Sequence, residues 1–125
     1  MKPYPSYIDS GVEWIGEIPK GWEVSKLRFH IKGIKDGTHG THTNVNDGKI
    51  LLSGKNVLDG VIEIGDNERM ISEKDHIQII SNGFPKKNDV LVTTVGSIGR
   101  ICVFDMEEPI SFQRSVCFIR PKDHL

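Results

Sequence analysis

The chain has two cysteines in 125 residues, Cys102 and Cys117. That is too few for a disulfide-stapled scaffold. Both sit inside apolar, strand-like runs, so they read as buried, reduced thiols of a cytoplasmic protein. No apolar run approaches the roughly 20 residues of a membrane-spanning helix. Met1-Lys-Pro-Tyr-Pro-Ser-Tyr7 has no apolar stretch behind its lysine, which is not the pattern of a signal peptide. There is no excess of positive charge either: 16 Lys and Arg against 17 Asp and Glu give a net −1. That argues against a simple polycationic nucleic-acid binder. Internal repeats and low-complexity tracts are absent.

Catalytic signatures are also missing. Ser53-Gly54 lacks the G-x-S-x-G elbow of a hydrolase. No Gly-Lys-Ser/Thr follows Gly96-Ser-Ile-Gly99, so this is not a phosphate-binding P-loop. Glu107 and Glu108 are adjacent, and in an extended segment they point to opposite faces. His39-Gly-Thr-His42 offers two imidazoles but not the three or four ligands of a zinc site. No cofactor is expected.

What is present suits one packed domain: hydrophobic residues make up 37% and charged residues 26% of the chain. Charge is unevenly spread. Residues 20–55 hold seven basic and three acidic side chains, a local +4. Residues 56–85 hold six acidic and two basic, a local −4. Such a dipolar domain can turn its basic side to phosphate, although alternating charge also serves solubility.

Along the chain, residues 1–21 read as an extended lead-in rich in Gly and Pro. Trp14, Ile15, Ile18 and Trp22 are expected to pin it to a core. Trp22–Phe29 begins with alternating apolar residues and predicts a strand. Gly33–Lys49 is polar and glycine-rich, with Asp-Gly at 36–37 and 47–48, and predicts a long loop. Ile50–Leu52, Val61–Ile64 and Arg69–Ile71 predict short strands. Ser72-Glu-Lys-Asp75 has the spacing of a capping box and opens a helix of about two turns, ending at Asn82-Gly83. Val90–Val95 and Ile101–Phe104, joined by Gly96-Ser-Ile-Gly99, predict a hairpin. Val116–Ile119 is the last strand. The G-x-x-G spacing matches the clamp of KH domains, but KH places it between helices. Here both flanks are β-like. The fold class is therefore α+β and β-rich: a twisted, mostly antiparallel sheet with one or two short helices.

Four blocks together resemble the specificity (S) subunit of type I restriction–modification enzymes. The first is Asp9-Ser-Gly-Val-Glu-Trp-Ile-Gly16 with Ile18-Pro-Lys-Gly-Trp-Glu-Val-Ser-Lys-Leu27. The second is Leu51-Leu-Ser-Gly-Lys-Asn-Val57. The third is Asn88-Asp-Val-Leu-Val-Thr-Thr-Val-Gly-Ser-Ile-Gly-Arg100. The fourth is Phe112-Gln-Arg-Ser-Val-Cys-Phe-Ile-Arg-Pro121. They fall in the family's order and span residues 9–121.

The resemblance implies a non-catalytic DNA reader. In that family two target recognition domains each read half of a split double-stranded DNA site. Helices set their spacing and dock methyltransferase (M) subunits, and restriction (R) subunits complete the nuclease. This chain carries one Ile-Pro-x-x-Trp and no spacer helix. It is expected to be most of one recognition domain, 22–125 behind the lead-in, either excised or truncated. An open sheet edge would then be free for self-association.

The residues expected to touch DNA are Lys35, Thr38, His39, Thr41, His42, Thr43 and Asn44 on the long loop, with Ser53, Lys55 and Asn56 beside it. Thr94, Ser97, Arg100, Gln113 and Arg114 form a second rank. Their hydroxyl, amide, imidazole and guanidinium groups suit base edges and phosphates. Gly96, Gly99 and Trp22 are assigned to folding. Two other readings stand beside this one. One is a protein-interaction or dimerisation module that does not bind DNA itself. The other is a small metal-binding enzyme built on His39 and His42.

Overall fold

The computed structural model describes residues 3–123. Its core is two small sheets meeting face to face. Near the N-terminus, β1 (Tyr7–Asp9) and β2 (Glu17–Pro19) form an antiparallel hairpin. A 3-10 turn follows at Leu27–Phe29, and a second lies at Gly54–Asn56. The remaining strands are β3 (Ile31–Asp36), β4 (Lys49–Leu52), β5 (Val57–Leu58), β6 (Val61–Ile62), β7 (Met70–Ile71), β8 (Val90–Thr93), β9 (Ile101–Val103), β10 (Ser111–Phe112) and β11 (Val116–Pro121). One helix, α1, spans Glu73–Ser81. The α+β, β-rich class expected from the sequence is the one found.

A four-stranded antiparallel sheet runs in the order β3-β11-β8-β9. Its inner face is set by the two-residue period of a strand: Leu91, Cys102, Val116 and Phe118 all point one way and are buried. A three-stranded sheet, β10-β4-β7, lies against it, with β10 parallel to β4. Phe104 and Phe112 join the layers edge to face, with ring centroids 6.2 Å apart. Leu52, Val57 and Ile110 fill the space around them. Both cysteines are buried free thiols. Burial pushes each thiol's pKa above its ordinary value, with Asp105 adding to the effect at Cys102 and Asp36 at Cys117.

Helix α1 begins as its sequence predicts. Ser72 Oγ accepts the Asp75 backbone N–H at 3.1 Å. Asn82 caps the C-terminus, and Gly83 follows with φ 122°, a left-handed conformation that glycine adopts without strain. Ile79 packs on Leu51 and Ile71 to form a second small cluster.

Three expectations are corrected. Trp22–Phe29 forms no strand: every residue in it is exposed, and its alternation breaks at Ser25-Lys26 before any neighbour can pair with it. The strand comes later, as β3, within what reads as the start of the loop. Its polarity hides it because it is an edge strand with five of six residues exposed. The long loop therefore shrinks to His39–Gly48. Finally, Trp14 and Trp22 do not pin the lead-in to the core. Trp14 is 86% exposed and Trp22 55%, the latter meeting Tyr4 edge-on at 5.5 Å.

Candidate functional site

The turn between β10 and β11, Gln113-Arg114-Ser115, ties three separate segments into one polar edge. Thr38 N–H donates to Phe112 O at 2.7 Å, and Arg114 N–H donates to Thr38 O at 3.0 Å, forming an isolated parallel bridge with Gln113. Gln113 N–H donates to Leu52 O at 2.8 Å, and Gly54 N–H donates to Ser115 Oγ at 2.9 Å. Thr94 N–H donates to Ser115 O at 2.9 Å, and Thr94 Oγ1 donates to Arg114 O at 3.1 Å. Residues 38, 53–55, 94 and 113–114 are thus brought together, although they are far apart in sequence. Arg114, Thr94 and Lys55 are exposed there, and Thr38, Ser53 and Gln113 are half-buried.

Thr93 closes the neighbouring loop. Its buried hydroxyl donates to Ser97 O and accepts the Arg100 N–H at 2.9 Å. Gly96 and Gly99 have φ of 77° and 90°, which lets the chain reverse within four residues. Ser97 is held out to solvent at the tip, and Arg100 sits half-buried at the loop's end. Neither Thr93 nor Ser115 was singled out from the sequence. The only signal for them was a hydroxyl residue beside a glycine turn or a Gln-Arg pair.

The loop His39–Gly48 is anchored rather than free. His42 Nε2 lies 3.2 Å from Thr38 Oγ1, and its Nδ1 lies 3.7 Å from Asp75 Oδ2. Arg69 donates from Nε to Asn44 Oδ1 and from its terminal nitrogen to His42 O. Val45 N–H donates to Met70 O at 3.0 Å. His39 faces Asp36 at 3.4 Å, so the two imidazoles have separate partners. Among the described residues, no group of three His, Cys, Asp or Glu side chains is arranged to hold a metal. Thr41 and Thr43 are exposed.

Three more of the expected contact residues are engaged by the protein itself. Asn56 is 2% exposed; its Oδ1 accepts Ser53 N–H at 3.0 Å and its Nδ2 donates to Glu63 O at 3.0 Å. That side chain closes a turn and is withdrawn from any surface. Lys55 pairs with Glu68 at 3.2 Å. The Gly65 N–H, then Asn56 and Lys55, hold the Glu68 carboxyl down at about 2, so it stays charged opposite Lys55. Lys35 lies with its aliphatic stem over Gly83, where an added Cβ would come within 2.9 Å of Lys35 Cδ.

Chemically, this edge offers hydroxyl, amide and guanidinium groups on a rigid frame. It has no nucleophile paired with a base. The specificity subunit of the type I restriction enzyme EcoBI from Escherichia coli is 29% identical to this chain over 108 residues, 84% of the chain. The chain spans 22% of the length of that relative. No family model matches. At this low identity the match supports a relationship to type I specificity subunits, the family that the four sequence blocks resemble. No helix among the described residues is long and apolar enough to cross a membrane.

Proposed function

We propose that the chain is a half-site reader of double-stranded DNA, a target recognition domain related to those of type I restriction–modification specificity subunits. The observation that carries this reading is the single polar edge around Gln113-Arg114-Ser115, into which Thr38, Ser53–Lys55 and Thr94 are drawn. Gln bonds bidentately to adenine and Arg to guanine in a major groove. Thr94, Ser97 and the exposed Thr41 and Thr43 add hydroxyls at the rim. Asn56 leaves the set of contacts, since its amide is consumed internally, and Asn44 acts through Arg69 as an anchor of the loop. Methylation and cleavage belong to M and R partner subunits, and this chain contributes selectivity.

The alternative, a self-associating module, rests on the outer edge of β3, which has no strand partner among the described residues. Lys32, Lys35 and Asp36 line that edge, and charged residues on an edge strand oppose pairing with another copy. The DNA reading is therefore preferred. Fluorescence anisotropy with labelled duplexes tests it. Binding should weaken steeply between about 50 and 200 mM salt. An affinity that stays flat over that range, or a dimer on size exclusion with no DNA affinity at micromolar protein, would favour the interaction module.

A further inference from the structure

The edge described above holds few unpaired positive charges, yet a DNA reader needs phosphate contacts for most of its affinity. A second surface has them. A groove runs from Thr38 and His39 along β3 and under the C-terminal end of α1 to the end of β11. Its middle section, about 450 Å³, lies between Lys32–Lys35 on one wall and Ile80–Phe84 on the other. Its far section, about 580 Å³, is lined by Lys32, Lys86, Lys87, Arg120 and Lys122.

Over the middle and far sections six cationic side chains, counting Lys35, face two lining carboxylates, Asp89 and Asp123, and with Glu107 beside Lys87 the balance is a net +3. The whole chain is −1, so the groove concentrates positive charge against the overall balance. Asp89 is taken up by Arg120 at 2.9 Å. Lys32–Asp123 at 3.1 Å and Lys87–Glu107 at 3.6 Å are weak, solvent-exposed surface pairs, readily exchanged for phosphate. Lys86 and Lys122 are exposed.

The array is linear, which suits a chain of phosphates better than one small anion. Six residues of β3 at roughly 3.3 Å each span about 17–20 Å. Because one strand winds around the duplex axis, its successive phosphates lie about 7 Å apart, and that length spans about three of them. Gly33 leaves open space in the wall, with nothing within 4 Å of where its Cβ would be. The free edge of β3 also presents backbone N–H groups, which serve as phosphate donors.

We propose that this groove is the track for the sugar-phosphate backbone of one DNA strand, with Lys32, Lys86 and Lys122 as its principal contacts, continuous with the reading edge at Thr38. The inference rests on the DNA reading above and adds to it a sequence-independent surface whose Lys32, Lys86, Lys87, Arg120 and Lys122 were absent from the expected contacts.

The test uses a triple variant, Lys32→Gln, Lys86→Gln and Lys122→Gln, and a control with the same charge change outside the groove, Lys20→Gln, Lys26→Gln and Lys74→Gln. Each is titrated against a short duplex of arbitrary sequence over a range of salt, with circular dichroism as the check of folding. The groove variant should lose about 2.7 from the slope of log K against log salt, about 0.9 per lost phosphate contact, and more than about tenfold in affinity. The control should lose far less. Equal losses in the two variants, or a groove variant with the wild-type slope, would overturn the groove while leaving the DNA reading intact. A wild-type chain that binds no duplex at low salt would overturn both. Loss of polyglutamate binding with duplex binding unchanged would assign the groove to an acidic protein partner and overturn it as a DNA track.

Discussion

Thr38 and Gln113 meet as an isolated parallel bridge, and this contact fixes the start of the His39–Gly48 loop to the turn before β11. The approach is possible because residue 37 is glycine: an added Cβ would collide with the Gln113 and Phe112 carbonyl oxygens, which are backbone and cannot rotate away. Gly37→Ala should therefore destabilise the fold by about 2–3 kcal/mol or more, the range of a forced overpacking. Gly33→Ala, in open space on β3 just before, should cost little. Chemical denaturation of the two variants side by side checks this, and equal midpoints would contradict it.

The Asp89–Arg120 pair is asymmetric. Asp89 is 2% exposed and receives Arg120 together with the Lys86 N–H at 2.8 Å, whereas Arg120 reaches solvent. Removing Arg120 strands a buried carboxylate, but removing the charge of Asp89 leaves a cation able to hydrate. Arg120→Ala should thus cost about 3–4 kcal/mol and Asp89→Asn less, by urea unfolding. The reverse order would show that the carboxylate is not held as described.

His76 should make stability depend on pH. Its Nδ1 lies 2.7 Å from Ser111 Oγ in a buried site, and desolvation, with Lys49 nearby, lowers its pKa below 6.5 despite the opposing effect of Glu73. The unfolded chain takes up the proton near its ordinary value while the folded chain resists it. Stability is therefore lost as pH falls from about 6.5 towards the lower folded value. Wild type should melt at a lower temperature at about pH 5.5 than at about pH 7.5, and His76→Gln should shrink that difference. An unchanged difference would assign the effect to other groups.

Arg69 holds the loop through Asn44 and the His42 carbonyl. Arg69→Ala should speed cleavage of His39–Gly48 by a broad-specificity protease roughly tenfold, equivalent to about 1.4 kcal/mol of lost order. Cleavage at the wild-type rate would mean that the Val45–Met70 bond and the His42 contacts suffice alone.

The sequence foretold the inner sheet well. Val90–Thr93, Ile101–Val103 and Val116–Pro121 are apolar runs separated by turn residues; burial alternates along the first two, and the third is buried on both faces from Val116 to Phe118. The Ser72 cap was equally clear, because its hydroxyl has one short-range task. By contrast, β3 was masked: an edge strand needs only one partner and no buried side chains, so Lys32, Lys35 and Asp36 read as loop. The tryptophans misled because aromatic residues usually signal a core, and here Trp14 caps nothing. For the site, residue type could nominate Thr38, Thr94, Gln113 and Arg114. It could not show that Ser115 gathers them, nor that Asn56 faces inward, since both follow from long-range backbone contacts. Of the basic groove only Lys35 was nominated, because its other cations come from distant stretches of chain that no sequence pattern joins.

Selection of bound duplexes from a fully randomised pool tests the central claim most directly. A half-site reader should enrich one short block of base pairs, each mismatch costing about 1–3 kcal/mol, and Gln113→Ala with Arg114→Ala should relax preference at one or two positions while retaining general affinity. Binding to the pool without any enriched sequence would contradict the account.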